Sequence, residues 1–391
     1  MVATEIYLIR HAEAEGNLYR RIHGQYDSNI TSLGLEQILA LSKRFDGVDF
    51  DVVYSSDLTR AKTTAQAISV PRGLEIKTDP RLREVSMGVW EDKTWAYIEH
   101  NEAQALRAFA KDPGAWVIPG NEGFLAQKER IWQAIEDIAK AHPGQRVACV
   151  SHGNVIRILQ ASILGLASKE FSQVPHCDNT GVSLILANEG KLELALVNDR
   201  SHLTDSLSTF ARQTWWKNKS QEDTGNADFR PLDLAGYEKE YLAYRREAWT
   251  EIHGNLEGFA PEAYLEKARE HVAATKDALV EVMVKNKPIG LLELAPDRGQ
   301  ADGEGAIAFF YLAPEHRGEG YGVQLLGHAT SVYRALGRKT LSLRVAETNQ
   351  AAIGFYERFG FVKRGECPGV HGPLWEMELD IRVRVQNIHG L

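Results

Sequence analysis

Cysteine is scarce in this sequence: Cys149, Cys177 and Cys367 stand far apart and form no Cys-x-x-Cys pair. That excludes a disulfide framework and a zinc knuckle, and it suits a reducing, cytoplasmic compartment. No stretch approaches the roughly 18 consecutive apolar residues of a membrane-spanning helix. The N-terminus lacks the basic-then-apolar layout of a signal peptide, and a first strand beginning by residue 5 leaves no room for a removable leader. Positive charge is in deficit as well, with 45 Lys and Arg against 53 Asp and Glu, a net charge of −8 and a pI near 5.9. A general nucleic-acid binder needs a phosphate-neutralising basic surface, so that class is excluded, and no membrane partner is expected. A local cationic pocket stays open. Long polar tracts and internal repeats are missing too, so disorder is at most local.

What is present is globular material, 43% hydrophobic and 25% charged, in a chain of 391 residues. That length exceeds what one hydrophobic core normally serves, so two domains are expected. Residues 1–205 alternate strands with helices. "EIYLIR" and "RVACVS" read as buried strands, "TSLGLEQILALSKRF" as a helix capped by Thr31 or Ser32 with Leu35, Ile38, Leu39, Ser42 and Phe45 on one face, and "GNVIRILQASIL" as another helix. In "EGFLAQKERIWQAIEDIAKAHPG", Phe124, Ile131, Trp132, Ile135 and Ile138 share a face. This is α/β layering around a parallel sheet. Residues 206–227, turn-rich and polar apart from two tryptophans, read as a linker. A second domain follows over 228–380 and a tail over 381–391. Nothing in the sequence sets the oligomeric state.

Strand ends in the first half share a chemistry. Arg10-His11 follows the first strand, Ser55-Ser56 closes the second, "DVVYSS", with Arg60 soon after, and Ser151-His152 follows "RVACV". In a parallel sheet, the carboxyl ends of strands and the amino ends of the next helices converge on one crevice that favours an anion. Two arginines, two histidines and hydroxyls gathered there suit phosphate. The guanidinium groups grip non-bridging oxygens, one histidine attacks phosphorus and the other stabilises the developing charge, with no metal required. The leaving alcohol also needs a proton donor, and Glu84 in "LREVSMGVWEDKTW" supplies a carboxyl whose pKa would rise with desolvation or beside other anions. The remaining histidines, among them His100, His142, His253 and His389, show no such spacing and read as surface or capping residues.

Taken in order, "LIRHAEAEGN", "HGQYDSNITSLGLEQ", "SSDLTRAKTTA", "LREVSMGVWE", "VSHGNVIR" and "NDRSHL" resemble the histidine phosphatase superfamily, the phosphoglycerate mutase-like fold. The resemblance implies that His11 is transiently phosphorylated, that Arg10, Arg60 and His152 form the phosphate pocket, and that Glu84 acts as acid and then base. It also places Asn17, His23 and Gly24 against phosphate or substrate, and implies no cofactor. One departure is "GNEG" (Gly120–Gly123), where many relatives have Gly-Gly-Glu-Ser. A mutase must shield phosphohistidine from water and usually carries a long basic, proline-rich insertion between the acid and the second histidine. Glu84 to His152 contains no such signature, so hydrolysis of a small phosphomonoester is expected, with a phosphoglycerate-type mutase as the alternative.

In the second half, "FFYLAPEHRGEGYGVQLLGHAT" runs from a strand into a glycine-rich turn of the form Arg-x-x-Gly-x-Gly and then a helix. Glycines let backbone approach a ligand, and the amides at a helix start can hold a pyrophosphate. With "SLRVAETNQAAIGFYERFGFVKRG" further on, residues 228–380 resemble the GCN5-related N-acetyltransferase (GNAT) family. That resemblance implies acetyl-CoA as the cofactor. Arg317, Gly318, Gly320, Gly322 and Val323 would cradle its pyrophosphate, the backbone of Tyr311 and Leu312 would pair with its pantetheine arm, Asn349 would contact it, and Tyr356 would protonate the departing thiolate. The strand "AIAFFYLAP" carries no acid to serve as base, which leaves Glu293 on the preceding strand, or a chain of waters, for that role. Tyr237, Tyr241, Tyr244 and Trp249 read equally well as helix core and as lining of the acceptor cleft.

The expected architecture is thus α/β with two domains, an α/β/α phosphoglycerate mutase-like sandwich followed by a mixed α+β GNAT fold. The expected function is bifunctional, dephosphorylation plus acetyl-CoA-dependent N-acetylation of a small amine. The alternative for the second domain is an acyl-CoA-binding or regulatory module.

Overall fold

The apolar runs fall into two separate sheets. The computed structural model describes residues 2–213 and 225–391, in two units. One is formed by the first half of the chain together with Val383–Leu391, the other by Gly225–Arg382. Residues 214–224 of the linker, with its two tryptophans, lie outside the described residues.

The first unit begins with β1 (Thr4–Arg10), α1 (Glu15–Tyr19), α2 (Ser32–Arg44), β2 (Val52–Ser55), α3 (Thr59–Arg72) and β3 (Ile76–Thr78). After two 3-10 turns come α4 (Trp95–Asn101), α5 (Ala103–Lys111), α6 (Phe124–Ala141), β4 (Arg146–Ser151), α7 (Gly153–Ile163), β5 (Val182–Asn188), β6 (Lys191–Asp199) and the short α8 (Thr209–Arg212). The strands are ordered β3-β2-β4-β1-β5-β6, the first four parallel, β5 antiparallel to β1 and β6 antiparallel to β5.

The two-residue period of the central strands explains the layering. Ile6 and Leu8 of β1 join an apolar cluster with Ile131 and Ile135 of α6 and Val155 and Leu159 of α7. Ile9 joins the opposite cluster, with Ile38 and Leu41 of α2 and Ala61, Ala65 and Ile68 of α3. β4 splits the same way, Val147 and Cys149 to one side and Ala148 and Val150 to the other. A strand buried on both faces must be apolar throughout, which is why "RVACV" shows no alternation.

Thr31 caps α2, its Oγ1 accepting from the Gly34 amide at 3.1 Å. The buried stripe of α2 is Gly34, Gln37, Ile38 and Leu41, one step away from the face expected through Leu35, Leu39 and Ser42. Gln37 explains the shift, because its buried amide is fully bonded. Its Oε1 accepts from Glu13 N (2.8 Å), and its Nε2 donates to Leu207 O (2.7 Å) and Thr209 Oγ1 (2.9 Å).

Those last bonds move a boundary. Residues 206–213, read from sequence as the start of the linker, pack on the first unit, with Ser208 and Thr209 buried and Ser208 Oγ capping α8. The tail differs more. Val383–Leu391 lies along the first unit: Arg384 N donates to Asn29 Oδ1 (3.0 Å), Ile30 N to Gln386 Oε1 (3.1 Å) and Gln66 Nε2 to Gln386 O (2.8 Å). Ile388 and Leu391 pack half-buried against the α2–α3 core. Deleting 383–391 is therefore expected to cost the first unit about 2–3 kcal/mol, lowering its Tm by about 4–12 °C without moving the transition of the second. Calorimetry of the shortened chain checks this, and an unchanged first transition would show the contact to be idle.

The second unit contains β7 (Asp228–Pro231), α9 (Leu234–His253), α10 (Pro261–Ala274), β8 (Leu279–Val284), β9 (Lys287–Ala295), β10 (Glu304–Leu312), α11 (Tyr321–Ala335), β11 (Thr340–Ala346), α12 (Gln350–Arg358), β12 (Val362–Gly369) and β13 (Gly372–Asp380). Its sheet runs β12-β13-β11-β10-β9-β8-β7, antiparallel except between β10 and β11. Leu292 and Leu294 of β9 face α11 and α12, and Leu291 faces α9 and α10.

Candidate active sites

β1 and β4 are neighbours in register, Arg10 opposite Ser151, so the residues that follow them are brought together. His11 N donates to Ser151 O at 2.9 Å, and the His11 and His152 rings stand 5.1 Å apart. Arg60 enters from the first turn of α3, after β2. His11 Nδ1 donates to its neighbour's carbonyl, Ala12 O, at 2.7 Å, which leaves Nε2 with the unshared pair. Burial first, then the charges of Arg60 and Arg10, hold the His11 pKa well below the ordinary histidine value. The imidazole is neutral, as a nucleophile must be. His152 is also pressed well down, by burial and then by Arg60 and His11. Both its ring nitrogens and Arg10 Nε are buried with no hydrogen-bond partner among the described residues. Such atoms are costly in an unliganded interior, and a tetrahedral oxyanion supplies the acceptors the donors lack.

Arg10 and Arg60 are aimed by backbone carbonyls. Arg10 Nη1 donates to Cys177 O (2.5 Å), and Arg60 donates to Tyr26 O (2.9 Å) and Gly24 O (2.6 Å). Gly24 is required there: its φ is +52°, and a Cβ would lie 2.6 Å from Met87 Cγ. Glu84, on irregular chain between the 3-10 turns, projects its carboxylate to the start of α7. There Oε2 accepts from Asn154 N (3.1 Å) and Oε1 from Val155 N (3.0 Å). His152 is the residue that precedes that helix, so Glu84 and His152 share one helix end. His23 Nδ1 meets Ser28 Oγ at 2.9 Å, and a charge on its ring would lower the His11 pKa further. Asn17 caps α1 through Ala14 N (3.1 Å). The hydroxyls of Ser55 and Ser151, expected in the crevice, instead donate to Ser56 O and Leu82 O.

Several supporting residues carry no linear signal. Asn179 Nδ2 donates to His11 O (2.9 Å), Thr64 Oγ1 accepts from Ala12 N (2.9 Å), and Phe210 lies under the Arg10 guanidinium at 5.8 Å. They act on backbone or across long separations, where no spacing rule reaches.

In the second unit, β10 pairs with β11 only over Glu304–Ala306 and then diverges, so from Phe309 to Leu312 only its β9 side remains paired. Tyr311 and Leu312 lie on this splayed segment. The turn that follows has φ of +80° at Gly318 and +86° at Gly320, with open space where either Cβ would stand. Gly320 caps α11, and Gly322 and Val323 fall in its first turn. A Cβ on Gly322 would come within 3.0 Å of Phe355 on α12. An open strand edge running into glycine backbone at a helix start is a fit for an extended thioester arm ending in a pyrophosphate. The Arg317 side chain, however, is committed elsewhere. Its Nε donates to Leu312 O (2.9 Å) and its Nη2 to Glu251 (2.8 Å), which leaves the glycine backbone rather than this side chain open to a ligand. Asn349 caps α12 through Ala352 N (3.1 Å). Tyr356 sits among Phe310, Phe355 and Phe361, 7% exposed, and burial raises its pKa, which keeps the phenol protonated.

Glu293 turns out to be fully engaged. It lies buried among the leucines of β9, its Oε2 accepting from Tyr241 (2.9 Å) and Arg245 and its Oε1 from His271 Nδ1 (2.7 Å). Burial opposes its charge, but Arg245 and the bonds from His271 and Tyr241 outweigh that and hold its pKa low. The carboxylate thus pins α9 and α10 to the sheet, with Tyr241 as part of that core, and its complete burial keeps it from an incoming amine.

A model of the histidine phosphatase superfamily (branch 1) matches residues 6–200, and one of the acetyltransferase (GNAT) family matches residues 238–361. A probable phosphoglycerate mutase GpmB from Escherichia fergusonii is 35% identical over 162 residues, 41% of this chain and 75% of that protein. A metal-independent phosphoserine phosphatase from Arabidopsis thaliana is 34% identical over 207 residues, 51% of this chain and 84% of that protein. Among solved structures, YhfR of Bacillus stearothermophilus is 32% identical with a TM-score of 0.50, covering 51% of this chain and 99% of its own.

Proposed function

Since the chain belongs to the histidine phosphatase superfamily and carries a GNAT-family domain behind it, we propose that it is a bifunctional enzyme, a phosphomonoesterase joined to an N-acetyltransferase. The observation that carries the first half is the tautomer of His11, a neutral ring whose Nε2 is free beside two arginines and a second histidine. In this reading His11 Nε2 bonds to phosphorus as the ester P–O bond breaks. Arg10, Arg60 and His152 hold the equatorial oxygens, and Glu84 passes its proton to the departing alkoxide. Water then attacks the phosphohistidine, Glu84 takes back a proton, the P–N bond breaks, and inorganic phosphate leaves. Hydrolysis is favoured over mutase chemistry because no long basic insertion separates Glu84 from His152.

In the second domain acetyl-CoA, when bound, supplies the acetyl thioester. The β10 edge and the Gly318–Val323 backbone would hold its arm and pyrophosphate, and Tyr356 Oη holds the proton that meets sulfur. With Glu293 engaged, a chain of waters is the route for the amine's proton. Both halves are served by one class of substrate, a small phosphomonoester that bears an amine. Phosphoserine, named in one relative, has both groups.

The test is to incubate the chain with acetyl-CoA and a pool of phosphorylated amino acids and amino sugars, reading phosphate loss and acetyl gain on each compound by mass spectrometry. Tyr356→Phe is expected to slow acetyl transfer by about 10²-fold while leaving phosphate release alone. Cofactor binding without consumption would make the second domain a binding module, and phosphoryl exchange with little free phosphate would make the first a mutase.

A further inference from the structure

Glu84 lies on irregular chain between two 3-10 turns, where no ladder satisfies the backbone, and something else must fix it. One side chain does most of this. Arg130, on α6 and with its side chain 17% exposed, donates through Nη1 to Arg81 O (2.6 Å) and Arg83 O (2.9 Å) and through Nη2 to Glu84 O (3.3 Å). Its remaining donors form a two-point pair with Glu122, Nε to Oε2 at 3.0 Å and Nη2 to Oε1. Glu122 Oε1 in turn accepts from Ser86 N (3.4 Å). The Glu84 segment is thus gripped at the carbonyls of residues 81, 83 and 84 and at the amide of residue 86 by a single Arg130–Glu122 unit.

We propose that Arg130 and Glu122 are positioning residues that set the aim of the Glu84 carboxyl at the leaving-group oxygen. This rests on the reading of Glu84 as proton donor. The carboxylate is anchored at α7 by Asn154 N and Val155 N, and its backbone is anchored by Arg130 and by Gln25 Nε2 on the same carbonyl (3.1 Å). With both ends fixed, the side chain has one aim. Only a planar fork can reach three carbonyls and a carboxylate at once, so a lysine retains the charge but loses the geometry. Glu122 belongs to "GNEG", the stretch where this chain departs from its relatives' Gly-Gly-Glu-Ser. Its role here is to the clamp.

A misaimed proton donor hurts poor leaving groups and spares good ones, whereas general damage to the pocket hurts both. The full chain is assayed for kcat/KM with phosphoserine and glycerol phosphate, whose alcohols need a proton, and with p-nitrophenyl phosphate, whose phenolate does not. In Arg130→Met the ratio of alkyl to nitrophenyl kcat/KM is expected to fall about tenfold or more, with Arg130→Lys failing to restore it and Glu122→Gln falling part of the way. In the Glu84→Gln background Arg130→Met should lower the ratio no further. Circular dichroism confirms folding, and Arg130→Lys carries the test if Arg130→Met unfolds. An equal loss on both kinds of substrate, or an unchanged ratio in Arg130→Met and Arg130→Lys while Glu84→Gln retains its selectivity, overturns the clamp alone. A Glu84→Gln variant without selectivity overturns the donor assignment on which it rests.

Discussion

Replacing His11 with alanine is expected to abolish phosphate release, by a factor on the order of 10⁴–10⁶, and to leave no phosphoryl group on the protein after rapid quenching. The size follows from the position of the ring. His11 supplies the covalent bond, while Arg10, Arg60 and His152 remain to bind the substrate, so binding should survive as turnover disappears. The wild-type phosphoenzyme should be acid-labile and alkali-stable, as a phosphoramidate is. The pH dependence is a second consequence. Protonation at Nε2 destroys the nucleophile, and burial with the Arg60 and Arg10 charges holds the His11 pKa well below its ordinary value. The inactive protonated form therefore accumulates only at pH well under 6.5. Measured with p-nitrophenyl phosphate, whose phenolate leaves without the Glu84 proton, and corrected for the substrate's own second ionisation, kcat/KM should be level through neutrality and fall only on the acid side of the usual histidine range. Residual activity above about 1% in His11→Ala, or a phosphoryl label elsewhere, would defeat the nucleophile assignment. A corrected profile falling near pH 6.5 or above would defeat the electrostatic account.

How much of this was legible in the sequence depended on what each residue acts upon. Arg10, His11, Arg60 and His152 follow strands directly, and strand ends of a parallel sheet meet by topology, so residues far apart in sequence could be placed together. Arg130 and Glu122 bind backbone carbonyls and an amide, which have no sequence signature, so nothing in their spacing pointed to Glu84. The β12–β13 hairpin was not foreseen. "VKRGECPG" is largely exposed and polar, and it is a strand because β13 pairs with β11 and offers it an edge. Residues 381–391 read as a tail because the packed pair, Ile388 and Leu391, gives no helical or strand period, yet Val383–Leu391 belongs to the first unit. Glu293 shows the opposite failure. The strand pattern marked an acid among leucines, a proper signal for chemistry, and the side chain proved to be satisfied by Tyr241, Arg245 and His271. A buried acid in a strand declares that it has partners; which partners is a matter of tertiary structure.

Glu84→Gln separates the two jobs assigned to that carboxyl. As acid it serves the first step only when the alcohol is a poor leaving group, and as base it serves the second step for every substrate. For phosphoserine or glycerol phosphate, kcat/KM is expected to fall by about 10²–10⁴-fold. For p-nitrophenyl phosphate it should fall far less, since kcat/KM extends only to departure of the phenolate. Turnover of that same substrate should still collapse, because phosphohistidine would form quickly and hydrolyse slowly. The signature is therefore a burst of nitrophenolate equal to the enzyme concentration, with His11 trapped in the phosphorylated state. The amide is nearly isosteric and still accepts from Val85 N and Val155 N through Oε1. Its NH₂ would face Asn154 N, donor against donor, where Oε2 accepted before. That mismatch costs about 1–3 kcal/mol, a loss of stability readable as a lowered Tm and separable from the kinetics. A variant with no burst and equal losses on both kinds of ester would mean that Glu84 only holds the start of α7. Its three amide bonds would then be its whole function, and the proton donor would have to be sought elsewhere in the pocket.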